Sequence, residues 1–149
     1  MANPVSDLLL TENELIAPGN NPEASAGAVV DFFGVVRRLE EGREIDGIEY
    51  EAHRPMAEHQ LQVLAQQAIE KFTLRLIVVH HRLGFVAAGE TSLFARVASR
   101  NRAEAFQASQ WLIDELKRRL PIWKRPKFKI DHQQTIVDSS PRADLIPQG

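Results

Sequence analysis

The stretch from Asn101 to Pro121 admits one secondary structure, and it limits what the rest of the chain can build. Asn101 followed three residues later by Glu104 has the form of a capping box, with an asparagine ready to accept from a free N–H of the first turn. From Ala103 onward, Phe106, Leu112, Ile113, Leu116 and Leu120 fall on one face at the helical period, and Pro121 stops the run. A second helical pattern, Met56 to Phe72, follows Pro55, a residue suited to a first helical turn. The other patterned segments read as strands. Gly27 to Arg37 is an apolar, β-branched and aromatic run in which Gly34 suggests a bulge. Glu40 to Arg43 looks like a turn, and Glu44 to His53 a strand after it. Leu74 to Gly84 and Glu90 to Ser99 suit an antiparallel pair, and Pro126 to Ile130 a short last strand. Two helices among hairpin-like strand pairs favour an α+β fold with a largely antiparallel sheet over a doubly wound parallel one.

The 149 residues suit a single domain spanning 1–149, with a loop at 17–26 and a tail from about Asp138 expected to be mobile. No apolar run approaches the ~18–20 residues that cross a bilayer. The opening MANPVSDLLLTENELI lacks the basic and apolar regions of a secretory signal, so the expected location is the cytoplasm. The chain has no cysteine, which excludes disulfides, thiolate metal ligands and cysteine nucleophiles. If such a chain handles sulfur, another molecule must deliver it.

A formal net charge of −2 argues against a general nucleic-acid binder, yet seven of the 18 Lys and Arg residues fall between Lys117 and Lys129 with no acid among them. Something anionic can dock there. Lys117 sits at the border of the apolar helix face. It is either a lysine whose stem covers the core edge while its ammonium reaches water, or a partly desolvated group available for acid–base or nucleophilic work. Lys124 lies in PIWKR, just past the helix stop. Pro121 stiffens that turn and Trp123 is expected to anchor it in the core, so Lys124 is either a well-placed catalytic group or a solvated charge beside a structural tryptophan. Arg100 and Arg102 flank Asn101 at a helix N-terminus, where free N–H groups and guanidinium forks together suit a phosphate. Arg37 ends the first strand and adds another cation. In the adjacent His80 and His81, one ring should point inward and one outward; with His53, His59 and His132 showing no ligand spacing, no metal site is expected. P-loop, GxGxxG, GxSxG and HExxH patterns are absent from the sequence. The residues by themselves describe a cysteine-free α+β domain with a basic, anion-seeking site.

Six segments in order resemble one family. They are GAVVDFFGVVR (Gly27 to Arg37), IEYEAHRPMAE (Ile48 to Glu58), HHRLG with the later GE (to Glu90), SRNRAEAF (Ser99 to Phe106), IDELK (Ile113 to Lys117) and PIWKR (Pro121 to Arg125). Together, over roughly residues 27 to 125, they resemble the large subunit of molybdopterin synthase. The resemblance implies an α/β-hammerhead fold and an enzyme that needs no cofactor of its own. Its implied reaction is sulfur transfer to cyclic pyranopterin monophosphate, giving the dithiolene of molybdopterin. A small ubiquitin-like subunit would supply each sulfur from a C-terminal thiocarboxylate, and two large subunits would form the centre of a heterotetramer. Lys117 and Lys124 match the family's two essential lysines, for proton transfer and stabilisation of developing charge, and one of them is a candidate for a transient acyl link to the donor tail. Arg37 and Arg102 match arginines associated with the pterin, with Arg100 and Asn101 beside them.

The match has departures. The family usually has histidine where Asn101 stands, and asparagine cannot shuttle a proton near neutral pH. Pro126 stands where glutamate is common, the usual Gly-and-Trp-containing ending is not recognisable, and Arg142 is only a loose counterpart of the tail arginine that reaches a neighbouring subunit. These changes motivate an alternative, a non-catalytic paralogue that binds the small subunit or a phosphorylated ligand without turnover. A third reading, a nucleic-acid or phosphometabolite binder using the Lys117–Lys129 patch, ranks last because Trp123 and Phe128 are the only aromatics in it.

Overall fold

The computed structural model describes residues 3–19, 25–130 and 146–147. The chain runs β1 (Val5–Thr11), β2 (Ala28–Val35), β3 (Leu39–Glu40), β4 (Arg43–Ala52), α1 (Arg54–Phe72), β5 (Leu76–Arg82), β6 (Gly84–Ala87), β7 (Thr91–Ser99), α2 (Arg102–Arg119), β8 (Ile122–Phe128) and β9 (Ile146–Pro147). The strands form two sheets. The first has the order β1-β5-β7-β2, antiparallel except for the β1–β5 pair; the second has the order β3-β4-β8-β9, with β6 also paired to β4. The expected α+β architecture, two helices with mainly antiparallel strands, is what forms.

Each helix has a local reason for its ends. The Asn101 side chain accepts from the Glu104 backbone N–H at 2.9 Å, while the Glu104 carboxylate takes Arg100 at 3.2 Å. Lys117, Arg118 and Arg119 occupy the last turn of α2, where the helix dipole favours cations. In α1 the cap is His53, whose Nδ1 accepts from the Met56 N–H, with proline in the first turn. Both helices lie on the first sheet, α1 over β1 and β5, α2 over β2 and β7, and they pack on each other. Small residues are buried on both helices, Ala65 and Ala68 of α1 and Ala105 and Ala108 of α2, in one core cluster with Leu61, Leu64, Leu112 and Leu116.

The helix face differs from the sequence expectation at one end. Ala105 and Ala108 face the core, and Phe106 is 62% exposed, lining a shallow apolar groove with Val30, Phe32 and Ile113. The bulk of Phe106 suggests a core position from sequence, whereas the smaller Ala105 and Ala108 fill the buried side of the helix. His80 and His81 also depart from expectation, because both are buried. They do lie on opposite faces, His80 near Asp7 (3.1 Å) and Phe94, His81 against Tyr50, but both faces of β5 are covered.

Strand β8 is the larger correction. PIWKR is no turn: Ile122–Phe128 pairs antiparallel with β4, Tyr50 opposite Lys124 and Glu51 opposite Trp123. Trp123 is 40% exposed and does not anchor the core; Ile122, 1% exposed, does. Four elements have no counterpart in the sequence reading, namely β1, β3, β6 and β9. Ile146–Pro147 pair with Trp123 and Lys124; the remainder of the segment from Asp138, with Arg142, lies outside the described residues, as does His132.

Candidate active site at the junction of the two sheets

The end of β2, the β3–β4 hairpin, β7, β8 and the last turn of α2 surround a cleft of about 290 Å³. That is near the lower end of the range for small-molecule pockets. Its floor is apolar, with Ile45, Ile48 and Leu93, and its polar groups are Arg37, Glu40, Tyr50, Ser92, Lys117 and Lys124. Three of the residues singled out from sequence, Arg37, Lys117 and Lys124, therefore come together from three different elements.

Their settings differ. The Lys124 side chain is largely covered on the paired strand β8, and its Nζ lies 3.2 Å from Glu40 Oε1. Lys117 stands on the exposed side of α2 at the rim, which agrees with a stem lying along the core edge and an ammonium in solvent. The Arg37 side chain is largely exposed, 3.6 Å from Glu40 Oε2. Three cations face one carboxylate, so the cleft is net positive and suited to an anion. Deeper in, the Tyr50 hydroxyl donates to Ser92 Oγ (3.3 Å), and the Ser92 hydroxyl donates to the Gly34 carbonyl (3.3 Å). Burial pushes the Tyr50 phenol above its ordinary range; the Ser92 bond opposes this and the nearby Glu40 charge adds to it. Tyr50 is therefore a neutral donor at neutral pH.

Arg100, Asn101 and Arg102 are not in the cleft. They stand at the opposite end of α2, separated from Lys117 by most of the helix, roughly 22 Å of rise. Gly27 packs beneath them: a Cβ there would lie 2.2 Å from the Arg100 carbonyl oxygen, so only glycine lets β2 begin against that corner. All three residues are exposed, and Arg100 is paired with Glu104. The sequence reading missed Glu40, Tyr50 and Ser92, which come from three strands and share no linear motif. Among the described residues no group of three or more histidines and carboxylates converges.

The basic run from Lys117 to Lys129 also changes character in three dimensions. Arg118 and Arg119 pair with Glu115, Lys124 with Glu40, Arg125 with Glu51 and Lys129 with Glu44. Glu115, just before the run, and Glu40, Glu44 and Glu51, far from it in sequence, thus pair with five of its seven cations, so the run is not a uniform positive patch.

Comparison with known proteins agrees with this architecture. The family model described as MoaE protein matches residues 7–119. A molybdopterin synthase catalytic subunit from Pyrococcus abyssi is 35% identical over 102 residues, 68% of this chain and 69% of the relative. The crystal structure of molybdopterin synthase from Staphylococcus aureus superposes with a TM-score of 0.69 at 31% identity, covering 74% of this chain and 80% of that one. A protein–protein complex of subunits 1 and 2 of molybdopterin-converting factor from Helicobacter pylori has the same fold (TM-score 0.60, 22% identity, 78% and 74% covered). Against the rice and human relatives the aligned part spans just over half of their length. With the matched region running from β1 through both helices, and a catalytic-subunit relative agreeing over two thirds of both chains, this chain belongs to the MoaE protein family.

Proposed function

We propose that the chain is the catalytic subunit of a molybdopterin synthase, transferring sulfur to cyclic pyranopterin monophosphate to build the molybdopterin dithiolene. The observation that carries this reading is the cleft that gathers Arg37, Lys117 and Lys124 over an apolar floor. A chain without cysteine cannot carry the sulfur as a persulfide, so the sulfur arrives on a partner. That partner is a small ubiquitin-like subunit whose C-terminal thiocarboxylate enters the cleft. The thiocarboxylate sulfur attacks an oxygen-bearing pterin carbon, the C–S bond forming as the C–O bond breaks and the oxygen leaves protonated. Water then cleaves the acyl–sulfur bond, leaving sulfur on the pterin and a carboxylate on the donor, and a second thiocarboxylate repeats the step for the second sulfur. Lys117 and Lys124 supply and accept protons and offset the oxyanion that develops at the acyl carbon. Arg37 holds the substrate's anionic group. The reaction belongs to the cytoplasm and the chain acts as a single domain.

Arg100, Asn101 and Arg102 fit this scheme through a second copy. In a twofold dimer at the centre of a heterotetramer, the N-terminal end of α2 from one copy serves the cleft of the other, which accounts for their distance from Lys117 in one chain. The test is single-turnover conversion of cyclic pyranopterin monophosphate by the complex with thiocarboxylated small subunit. Wild type should form product, and Lys117→Ala should lose about 100-fold or more in rate. A folded wild-type complex that forms no product would favour the non-catalytic paralogue, with Asn101 the first residue to revert to histidine.

A further inference from the structure

The cleft holds one residue that a site for anions would not need. Glu40 places a carboxylate, 12% exposed, among the three cations, where it repels phosphate and thiocarboxylate alike. Its position is built into the backbone. Glu40 is the last residue of β3, paired with Arg43 across a two-residue turn in which Glu41 (φ 52) and Gly42 (φ 76) both adopt left-handed conformations. Such turns follow the twist of the strands they join and fix the register of the hairpin. Lys124 is held as firmly from the other side, by the pairing of β8 with β4 opposite Tyr50. Two rigid strands thus bring Glu40 Oε1 to 3.2 Å from Lys124 Nζ, with both side chains more than four-fifths covered, so that solvent screens the pair weakly. The second oxygen, Oε2, faces Arg37 at 3.6 Å.

We infer that Glu40 is a positioning residue for Lys124: its carboxylate holds the ammonium at the junction of the two sheets and gives up some affinity for the anionic substrate in doing so. A lysine has a long flexible stem and a point charge without directional preference, so it needs an external tie to stay at one reacting atom. The inference rests on the sulfur-transfer reading of the cleft. It separates from a plain structural tie between β3 and β8 by what it does to rate and affinity, since a structural tie lowers the melting temperature and leaves both alone.

The experiment compares wild type, Glu40→Gln, Glu40→Asp, Lys124→Gln and the Glu40→Gln/Lys124→Gln double variant, each in complex with thiocarboxylated small subunit. The maximal single-turnover rate and the half-saturating pterin concentration are read separately, with thermal melts as the folding control. Glu40→Gln should lower the rate about tenfold while the half-saturating concentration stays level or falls, and Glu40→Asp should recover part of the rate. The double variant should be no slower than Lys124→Gln alone, because Glu40 acts through that lysine. A wild-type rate in Glu40→Gln, or additive losses in the double variant, overturns the inference. Absence of product from wild type would instead sink the sulfur-transfer reading, and acylation then decides the point. With acetic anhydride and peptide mass spectrometry, Lys124 should react several-fold faster in Glu40→Gln relative to the exposed Lys71. An unchanged ratio overturns it.

Discussion

Tyr50 is the only tyrosine in the chain, so its ionisation can be followed without assignment. It is 6% exposed, and burial raises its phenol above the ordinary value of 10.0. In the near-ultraviolet, the native protein should therefore form tyrosinate at higher pH than the same chain in denaturant. A group whose pKa is raised by folding contributes stability below its unfolded pKa and loses it as pH climbs through the folded one. Stability should thus fall above about pH 10, and Tyr50→Phe should remove that part of the alkaline slope; an identical slope in urea titrations would contradict the assignment. Asn101 makes a different residue-scale point. Its side chain caps α2, so Asn101→Ala should cost about 1 kcal/mol in denaturant unfolding, with Asn101→Asp close to neutral. Whatever asparagine does in the reaction, it has a structural role at the same position.

The two helices touch through the Phe72 and Trp111 rings, 5.9 Å between centroids, and through Arg119, which donates to Gln67 at 2.9 Å, while small side chains are buried on both. Ala108 is fully buried with Leu112 and Leu116 beside it. Ala108→Leu should overpack the core there and cost about 1–3 kcal/mol, seen as a lower melting temperature. Leu112→Ala should cost about 2–5 kcal/mol by leaving a cavity in a side-chain layer with little room to collapse. Strand pairing between β2 and β7 carries an ion pair as well: Arg96 Nε lies 2.6 Å from Asp31 Oδ1, Arg96 Nη2 lies 2.9 Å from Oδ2, and Arg96 Nη1 donates to the Gly19 carbonyl at 3.0 Å. The Asp31 bonds hold the Arg96 guanidinium above even its ordinary range, so it stays charged at every working pH.

At the scale of the whole molecule, the separation of Arg102 from Lys117 becomes a prediction about assembly. If each cleft combines Lys117 of one copy with Arg102 of the other, a dimer mixed from Lys117→Ala and Arg102→Ala copies has one doubly defective cleft and one intact cleft. Random mixing of two inactive variants should then restore about a quarter of wild-type activity. Recovery near zero, with mixed dimers demonstrated by tagged copies, would place the two residues in separate sites.

How much was legible in the sequence follows from how local each cause is. Helix α2 could be read to within a residue because its cap, periodicity and proline stop all lie within one short stretch. The strand character of residues 28–35, 43–52, 76–82 and 91–99 was legible for the same reason, and the lack of cysteine by itself ruled out internal carriage of sulfur. Lys117, Lys124 and Arg37 were marked by their types and by segments shared with a family. Only the tertiary structure decided that these three share a cleft while Arg100, Asn101 and Arg102 face elsewhere, since one helix separates Lys117 from Arg102 by its whole length. It also turned PIWKR from a pinned turn into a paired strand, because the partner that stabilises it, β4, lies some seventy positions earlier in the chain. Glu40 was the least legible residue of all. Nothing near it in sequence marks a glutamate before a tight turn as functional, and its meaning arises only where β3 and β8, both paired to β4, bring it against Lys124.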